Sequence, residues 1–384
     1  MRVLHFYKDY LPESMGGVEQ VIRQLCAGTA RMGVHSEVLT LTREKAASDV
    51  PFEGHRVRRI PLDINVASNS MAFGAIGELR RMAAGCDVVH YHFPWPFADL
   101  AHFAARIGKP SVVTYHSDIV RQKVLLRLYA PLRHRFLQSV DAIVATSPNY
   151  LASSAVLARY RHKTRVITYG LDKSSYPAVR ADLLEYWRHR IGPRFFLFVG
   201  VLRYYKGLHI LLDAMAGPDY PVVIMGAGPT EQELKAHARR LGLRNLYFAG
   251  ALGEDDKAAL LTLCLAVVFP SHLRSEAFGI SLLEGAMFGK PMVSSEIGTG
   301  TSYINIDGET GLVVAPSDPR ALGNAMRVLW QDPARAARMG QQAAARYASL
   351  FTSQQMAAAY TSLYYELVAR RAHMPDRSLG IVAL

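Results

Sequence analysis

Two glutamates eight residues apart carry the strongest chemical signal in this chain. Glu276 and Glu284 bracket the segment EAFGISLLE, whose apolar run predicts a buried helix beginning near Phe278. Glu276 is then expected in the loop before the helix, and Glu284 about two turns into it on a neighbouring face. The helix start offers unpaired N–H groups and a positive dipole end that suit a phosphate. Because carboxylates also accept hydrogen bonds from sugar hydroxyls, the segment predicts a nucleotide sugar as the ligand.

The same spacing has a plainer interpretation. Two acids eight residues apart occur by chance in many helices. Glu284 could be an exposed helical residue, and Glu276 could do no more than cap a turn. The neighbouring motifs favour the functional interpretation.

A basic loop is predicted close to these acids. The predicted strand ending at Gly200 is followed by VLRYYKG, which places Arg203 and Lys206 in the loop before the next helix. Cations at the carboxyl end of a parallel strand can neutralise a diphosphate leaving group. A solvated basic loop is the alternative for this motif taken alone.

Two further motifs follow predicted strands of the N-terminal half. Gly16 and Gly17 open a helix after the first strand, so the backbone can approach a ligand closely, although a simple glycine turn is also possible. The dinucleotide fingerprint Gly-x-Gly-x-x-Gly is absent at this turn. His116 follows the strand SVVTY and could contact a sugar hydroxyl or donate a hydrogen bond to developing charge. A loop histidine without a role is the alternative.

No metal site is expected. His90 and His92 lie on one face of a predicted strand, but no third ligand has a convincing spacing, so we interpret them as structural or pocket-lining. The sequence has no Asp-x-Asp pair to bind a catalytic divalent ion.

The elements that position these motifs alternate between short apolar strands and longer helices, which predicts an α/β fold with parallel sheets. Two doubly wound domains are the simplest account. We expect an N-terminal domain over 1–172, a C-terminal domain over 173–351 that begins with a polar linker at 173–193, and a final helix over 352–371 that packs back on the first domain.

Composition favours a cytoplasmic protein. The chain has 384 residues, 50% of them hydrophobic, and no run of about 18 apolar residues that could span a membrane. Its N-terminus lacks a signal peptide's apolar core, and its three cysteines suit reduced thiols. The net charge of +12 lacks the interleaved aromatics of a nucleic-acid module, so an anionic membrane or a phosphorylated acceptor is the better partner.

A basic amphipathic segment at 119–138 could supply that membrane contact. Arginines and a lysine alternate there with leucines and no acid intervenes, although a core helix with a charged face is equally possible. Pro131 is expected to kink or end the helix.

Together these motifs resemble the retaining nucleotide-sugar glycosyltransferases of family 4, which have the GT-B fold of two Rossmann-like domains facing across a cleft. The likeness covers nearly the whole chain. HFYKDYLPESMGGVEQ, VLRYYKG and EAFGISLLEGAMFGKP look most like the mannosyl- and rhamnosyltransferases of lipopolysaccharide O-antigen synthesis.

The resemblance implies roles for individual residues. Glu276 would touch the hydroxyls of the donor sugar, Glu284 the ribose, and His116 would sit beside the transferred sugar. The remaining contacts would be to the diphosphate, the sugar or the base. Gly16, Gly17 and Lys206 would face the diphosphate, and the backbone of Phe278, Gly279 and Ile280 would contact the phosphate or the sugar. A loop from Gly250 to Lys257 would hold the base, with Leu252 in contact with it.

One departure concerns the arginine that many relatives carry directly after the glycine matching Gly200. This chain has Val201 there, and we assign the role to Arg203, which an extended segment would point the same way.

The implied reaction is transfer of a hexose, mannose or D-rhamnose, from a GDP-sugar to a lipid-linked saccharide on a polyprenyl diphosphate carrier. It would need no metal or other cofactor and no nucleic acid, and would run with retention, the leaving diphosphate helping to take the acceptor proton. The protein would lie peripherally on the inner face of the cytoplasmic membrane. A UDP-sugar donor, a sugar-nucleotide epimerase of the same fold and a non-catalytic membrane scaffold are the alternatives.

Overall fold

A computed structural model describes residues 1–14, 16–66, 69–119, 123–217 and 219–373, and within them the chain forms two large sheets. The first has the strand order β10-β9-β8-β7-β1-β2-β4-β3 and is parallel except for β3, while β5 and β6 form a small antiparallel ribbon. These strands are β1 (Arg2–Phe6), β2 (His35–Thr42), β3 (Ser48–Phe52), β4 (His55–Pro61), β5 (Ile64–Val66), β6 (Asn69–Met71), β7 (Val88–Phe93), β8 (Ser111–Tyr115), β9 (Ala142–Ala145) and β10 (Thr164–Val166).

The second sheet is parallel throughout the described residues and has the order β13-β12-β11-β14-β15-β16. Its strands are β11 (Phe196–Val199), β12 (Val222–Met225), β13 (Leu246–Gly250), β14 (Ala266–Phe269), β15 (Met292–Ser295) and β16 (Gly311–Val314). Most of its residues in β11, β12, β14 and β15 are buried, as expected for strands covered on both faces.

Helices connect the strands and cover both sheets. The α-helices are α1 (Gly17–Ala30), α2 (Gly74–Ala84), α3 (Pro96–Ala104), α4 (Lys123–Ser139), α5 (Pro148–Ser153), α6 (Ala155–Ala158), α7 (Ala181–Ile191), α8 (Leu208–Ala214), α9 (Glu231–Arg240), α10 (Glu254–Leu263), α11 (Ile280–Met287), α12 (Thr301–Ile304), α13 (Pro319–Gln331), α14 (Pro333–Leu350) and α15 (Ser353–Ala372). Short 3-10 helices lie at Arg161–Lys163, Lys173–Ser175 and Tyr204–Lys206. This arrangement confirms the predicted α/β fold with two doubly wound sheets.

Helix α15 returns to the first sheet and packs against α1. Gly28 permits the close approach, because a Cβ there would lie 2.7 Å from the Cβ of Ala357. Thr352 and Gln355 form a capping box that starts α15 at the crossing. The last helix therefore packs on the N-terminal half of the chain.

The segment predicted as a linker contains a packed helix. Within 173–193, α7 lies against α10, and the Trp187 Nε1 donates to the Asp256 carboxylate at 2.9 Å. Trp187 and Ile191 are buried on its inner face, so the polar residues that suggested a linker form its outer face. The helix was missed in the sequence because its two buried apolar positions are outnumbered by the surrounding charges.

The basic segment also differs from its prediction. Helix α4 begins at Lys123 rather than near residue 119, and 120–122 lie outside the described residues. It continues through Pro131, which was expected to kink or end it. Pro131 and Arg127 are both exposed, so water can bond the carbonyl that the proline leaves free. Within the described residues, no helix has the length and apolar composition to cross a membrane.

Candidate active site

Lys206 and Glu276 form an ion pair at the carboxyl ends of β11 and β14. The ammonium contacts the Glu276 carboxylate, and the two side chains are 12% and 11% exposed. Burial lowers the pKa of Lys206, but the charges of Glu276 and Tyr205 and the hydrogen bond to Glu276 together more than offset this, and the net pKa is raised. The Ser271 hydroxyl donates a second bond to the same carboxylate oxygen at 3.3 Å. The site therefore contains a charged pair held away from bulk water.

A glycine makes this pair possible. Gly207 follows the 3-10 helix of Lys206 with a φ of 70°, and a Cβ there would lie 2.0 Å from the Pro270 carbonyl oxygen. No other residue would let the loop after β11 reach the loop after β14 so closely. Arg203, on the same loop, is exposed together with Val201 while Leu202 is buried, which agrees with the predicted alternation.

Glu284 has a separate set of partners. Its Oε1 accepts from the Tyr176 hydroxyl at 2.8 Å and from the Lys257 ammonium at 2.7 Å. Burial lowers the pKa of Lys257, but the charges of Glu284 and Glu254 more than offset it and leave the pKa raised. Glu284 is only 4% exposed, so the interpretation of an exposed helical acid does not apply.

The helix that carries Glu284 begins later than predicted. Helix α11 starts at Ile280, not near Phe278, and Glu284 lies one turn into it rather than two. Gly279 precedes the helix with a φ of 99°, a conformation that favours glycine. This turn, which sequence periodicity does not reveal, holds Phe278 outside the helix.

The first turns of α1 and α11 face each other. A Cβ on Gly17, the first residue of α1, would lie 3.5 Å from the Cγ1 of Ile280, the first residue of α11. Gly17 itself is exposed. Since each helix start is a positive dipole end, two such ends border one crevice.

A buried carboxylate lies beside the glycine pair. Glu19 is 6% exposed and accepts from the Ser14 hydroxyl at 2.8 Å. A Cβ on Gly16 would lie 2.5 Å from a Glu19 carboxylate oxygen, so Gly16 gives this side chain its space. Burial raises the pKa of Glu19. The carboxylate thus lies over the start of α1.

His116 is 4% exposed at the end of β8, and both of its ring nitrogens have partners. Nε2 lies 2.9 Å from Nδ1 of His92, and Nδ1 contacts the Tyr169 hydroxyl. The Tyr169 ring packs on Phe278, with ring centroids 4.6 Å apart. His116 therefore reaches the second sheet through Tyr169, and neither ring nitrogen is left over for a ligand.

Polar side chains join the two halves beside this crevice. Arg274 lies 3.3 Å from the Asp118 carboxylate and donates to the Ser153 hydroxyl at 3.0 Å and to the Gly298 carbonyl at 2.9 Å. Asn149 adds a bond to Ser302 at 3.2 Å. The contacts of Arg274 with Asp118 and Ser153, and that of Asn149 with Ser302, join the two halves of the chain.

Comparison with known proteins identifies the chain. Residues 15–175 match the family described as Glycosyltransferase Family 4, and residues 182–346 match Glycosyl transferases group 1. D-rhamnosyltransferase WbpZ of Pseudomonas aeruginosa is 63% identical over 92% of this chain and 93% of its own length. The chain is a family 4 glycosyltransferase. O-antigen chain mannosyltransferase C of Escherichia coli is 48% identical to this glycosyltransferase over 97% of the chain and 100% of its own length.

Solved structures share the fold of this glycosyltransferase. Sucrose-phosphate synthase from Thermosynechococcus elongatus has a TM-score of 0.80 at 21% identity, covering 96% of this chain and 99% of its own. Anabaena HepE in complex with UDP and glucose has a TM-score of 0.76 at 20% identity, covering 95% and 100%. These likenesses confirm the GT-B fold.

The structure brings together some of the predicted site residues of the glycosyltransferase and not others. Lys206 contacts Glu276, and Gly17 meets Ile280. Leu252 is half-buried against the core. The predicted loop from Gly250 to Lys257 is shorter than expected, because α10 already begins at Glu254.

Several side chains at the site were missed by sequence reasoning. Lys257 was predicted at the end of the base-binding loop and not as a partner of Glu284, and Tyr176 fell in the predicted linker. His5 lies beside His90 because β1 and β7 pair in register, and its ligand atom lies within 4.8 Å of those of His90 and His92. Alternating histidines on two adjacent predicted strands were the available signal.

The three histidines His5, His90 and His92 do not present an open metal site in this structure. The rings of His90 and His92 are stacked at 4.4 Å with an interplanar angle of 24°, so their lone pairs lie in nearly parallel planes. Both nitrogens of His90 already bond hydroxyls, Tyr364 and Thr114, at 2.7 Å. A metal would have to displace these bonds.

Proposed function

We propose that this glycosyltransferase moves a hexose, mannose or D-rhamnose, from a GDP-sugar to a lipid-linked saccharide in O-antigen synthesis. The names of the two relatives, a D-rhamnosyltransferase and an O-antigen chain mannosyltransferase, support the sugar and the pathway. The single observation that carries the donor site is the crevice where the starts of α1 and α11 meet, between Gly17 and Ile280.

In this proposal the donor diphosphate lies at that crevice. Two helix N-termini and the nearby Lys206 would stabilise its charge, and the exposed Arg203 is free to swing toward it. Lys206 is already desolvated, so its interaction with a phosphate would be stronger than that of a surface lysine. It would exchange its contact with Glu276 for one with the leaving group.

Glu276 would then be released to accept hydrogen bonds from the sugar hydroxyls. Glu284, further along α11, would bind the ribose, and Leu252 would contact the base. The acceptor hydroxyl would attack from the face that the diphosphate leaves, with its proton passing to a diphosphate oxygen. Such a reaction retains the anomeric configuration and needs no protein base.

The test is a transfer assay with purified enzyme. GDP-mannose, GDP-D-rhamnose and UDP-glucose are each incubated with a polyprenyl-diphosphate saccharide, and the product is examined by mass spectrometry and by NMR of the new anomeric centre. Transfer from a GDP-sugar with retention is expected. A new sugar nucleotide formed without acceptor would indicate an epimerase. Transfer from UDP-glucose alone would show that the donor is not a GDP-sugar. If no donor is turned over, the protein would be better explained as a non-catalytic scaffold.

Helix α4 is proposed to place the enzyme on the inner face of the cytoplasmic membrane. Leu128 and Leu125 are 76% and 53% exposed, unusual values for leucine, and Arg127 and Arg135 are exposed on the same helix. Exposed apolar side chains beside arginines suit an anionic lipid surface, where the leucines enter the interface and the arginines pair with headgroups. The lipid-linked acceptor would then meet the enzyme at the membrane surface.

Vesicle sedimentation tests this contact. Wild-type protein is expected to bind vesicles containing phosphatidylglycerol and not vesicles of phosphatidylcholine alone. Leu128→Glu should abolish the binding, whereas Leu241→Glu, at a leucine 37% exposed near the end of α9, should not. Equal vesicle binding by both variants would show that α4 does not contact the membrane.

A further inference from the structure

Three buried histidines form a hydrogen-bonded chain that ends at Tyr169. His5 Nδ1 lies 3.2 Å from His92 Nε2. His92 Nδ1 lies 2.9 Å from His116 Nε2, and His116 Nδ1 contacts the Tyr169 hydroxyl. None of the three histidines is more than 4% exposed. The chain runs from the core of the first sheet to the Tyr169 ring that packs on Phe278 of the second.

The three imidazoles are neutral in this environment. Burial lowers the pKa of His116 to about 3, and burial with the charge of His55 lowers that of His5 to about 3. Burial also holds the pKa of His92 well below its usual range. A neutral imidazole has one N–H donor and one acceptor nitrogen. Each ring in the chain therefore donates at one end and accepts at the other, and all must point the same way.

The direction in which the three histidines donate is decided at His5, the end of the hydrogen-bonded series opposite Tyr169. Nε2 of His5 is buried and has no hydrogen-bond partner among the residues that the structure describes. If the histidines donated in the direction of His5, this nitrogen would carry a buried N–H without an acceptor. If they donate in the direction of Tyr169, the nitrogen carries only an unused lone pair. Buried N–H groups without an acceptor are rarer than under-used acceptors, so the second arrangement is favoured.

This direction fixes the protons of the whole chain. His5, His92 and His116 each carry their hydrogen on Nδ1, and the Tyr169 oxygen accepts from His116. The Tyr169 hydroxyl hydrogen is then free to point elsewhere, and the structure shows no second partner for it within the described residues. Burial raises the pKa of Tyr169 well above its usual range, and the nearby charge of Glu276 contributes.

We propose that Tyr169 donates its hydroxyl hydrogen to the donor substrate in the crevice, with His92 and His116 as the positioning residues that orient it. This inference rests on the proposed function, since it takes the crevice beside Glu276 and Phe278 as the donor site. It reassigns the hydrogen bond expected from His116, whose ring nitrogens are both occupied. The ligand group is a sugar hydroxyl or a diphosphate oxygen, both of which accept such a bond.

The proton arrangement is tested in the wild-type protein without any substrate. Protein labelled with ¹⁵N-histidine is examined by NMR for the one-bond coupling that marks a protonated ring nitrogen. We expect the hydrogen on Nδ1 in His5, His92 and His116. A hydrogen on Nε2 of His116 would overturn the proposal, and because no variant is needed, folding defects cannot obscure the result.

The ligand contact is tested by kinetics of Tyr169→Phe. Its kcat/KM with the preferred donor should fall about ten- to hundred-fold, the usual effect of one lost hydrogen bond to a polar or charged group. Tyr360→Phe is the matched control, because this equally buried hydroxyl bonds Thr114 at 2.7 Å and lies outside the chain. Its kcat/KM should stay within about twofold of wild type.

The two proposals fail in different ways. If wild type turns over a sugar nucleotide but Tyr169→Phe matches Tyr360→Phe, the role of Tyr169 is wrong and the proposed function stands. If wild type transfers no sugar from any nucleotide, the proposed function is wrong, and the role of Tyr169 at a donor site is wrong with it.

Discussion

Lys206 and Glu276 lie 70 residues apart in the chain and meet as an ion pair with side chains only 12% and 11% exposed. Removing one partner of such a pair leaves a desolvated charge without compensation. We predict that Lys206→Met lowers the free energy of unfolding by about 3 kcal/mol, measured by urea denaturation. The double variant Lys206→Met with Glu276→Leu should regain most of it. A single-variant loss below about 1 kcal/mol would show a solvated, weak pair.

Glu276 and Glu284 should affect different kinetic constants. Glu276→Ala should lower kcat by about a hundredfold or more, because its contacts to the transferred sugar matter most in the transition state. Glu284→Ala should mainly raise the KM for the donor, by about tenfold. Steady-state kinetics with varied donor measures both.

A matched control separates ligand binding by Glu284 from the loss of a partner for Lys257. Glu254 also pairs with Lys257, at 2.8 Å, and is 47% exposed. Glu254→Ala should leave the KM for the donor unchanged. Equal, small effects from Glu276→Ala and Glu284→Ala would contradict the roles given to them.

Gly17 should be sensitive to added bulk without being needed for folding. A Cβ there would meet Ile280 at 3.5 Å, an ordinary contact, but on the side where the diphosphate is placed. Gly17→Ala is expected to raise the KM for the donor about tenfold while thermal stability does not fall. Gly77→Ala, in open space on α2, controls for the change itself. An unchanged KM in Gly17→Ala would show that the diphosphate does not bind at the start of α1.

The contact between Arg274 and Asp118 should favour the closed arrangement of the two sheets. The side chains are 32% and 20% exposed, so Arg274→Ala should cost no more than about 1 kcal/mol of stability. The radius of gyration in solution X-ray scattering should nevertheless rise, because the bond to Ser153 of the N-terminal half is lost as well. Arg56→Ala, which breaks a pair with Asp49 within the first sheet, should leave it unchanged.

The buried histidines should make folding sensitive to acid. The pKa values of His5 and His116 are lowered to about 3 in the folded state, while unfolded histidine titrates near 6.5. Between these values the unfolded state binds more protons, so stability falls as the pH falls, by up to about 1.4 kcal/mol per pH unit for each such histidine. Urea denaturation at several pH values from 7 to 5 measures this slope. His5→Phe should reduce it, and an unchanged slope would show that His5 does not contribute.

Much of the fold was predictable because apolar periodicity reports burial. Strands Ala142–Ala145, Val222–Met225 and Ala266–Phe269 coincide with the short apolar runs on which the prediction of alternating strands and helices rests. The edge elements were missed. Ser48–Phe52 and His55–Pro61 form a half-exposed hairpin, so their sequence lacks the apolar run of a central strand.

The site was predictable where a motif is local in sequence. Lys206 and Glu276 were placed by their positions after strands, since parallel strands bring those ends together. Partners chosen by packing were not predictable. Tyr169 reaches His116 across 53 residues and Lys257 reaches Glu284 from a different helix, and no local pattern encodes either distance.

The most direct measurement is a crystal structure of the enzyme with GDP. We predict that the diphosphate lies against the first turns of α1 and α11, beside Gly17 and Ile280, with Lys206 turned from Glu276 toward a phosphate oxygen and Glu284 bonded to the ribose. GDP bound elsewhere, with the Lys206 and Glu276 pair intact and that crevice empty, would contradict it.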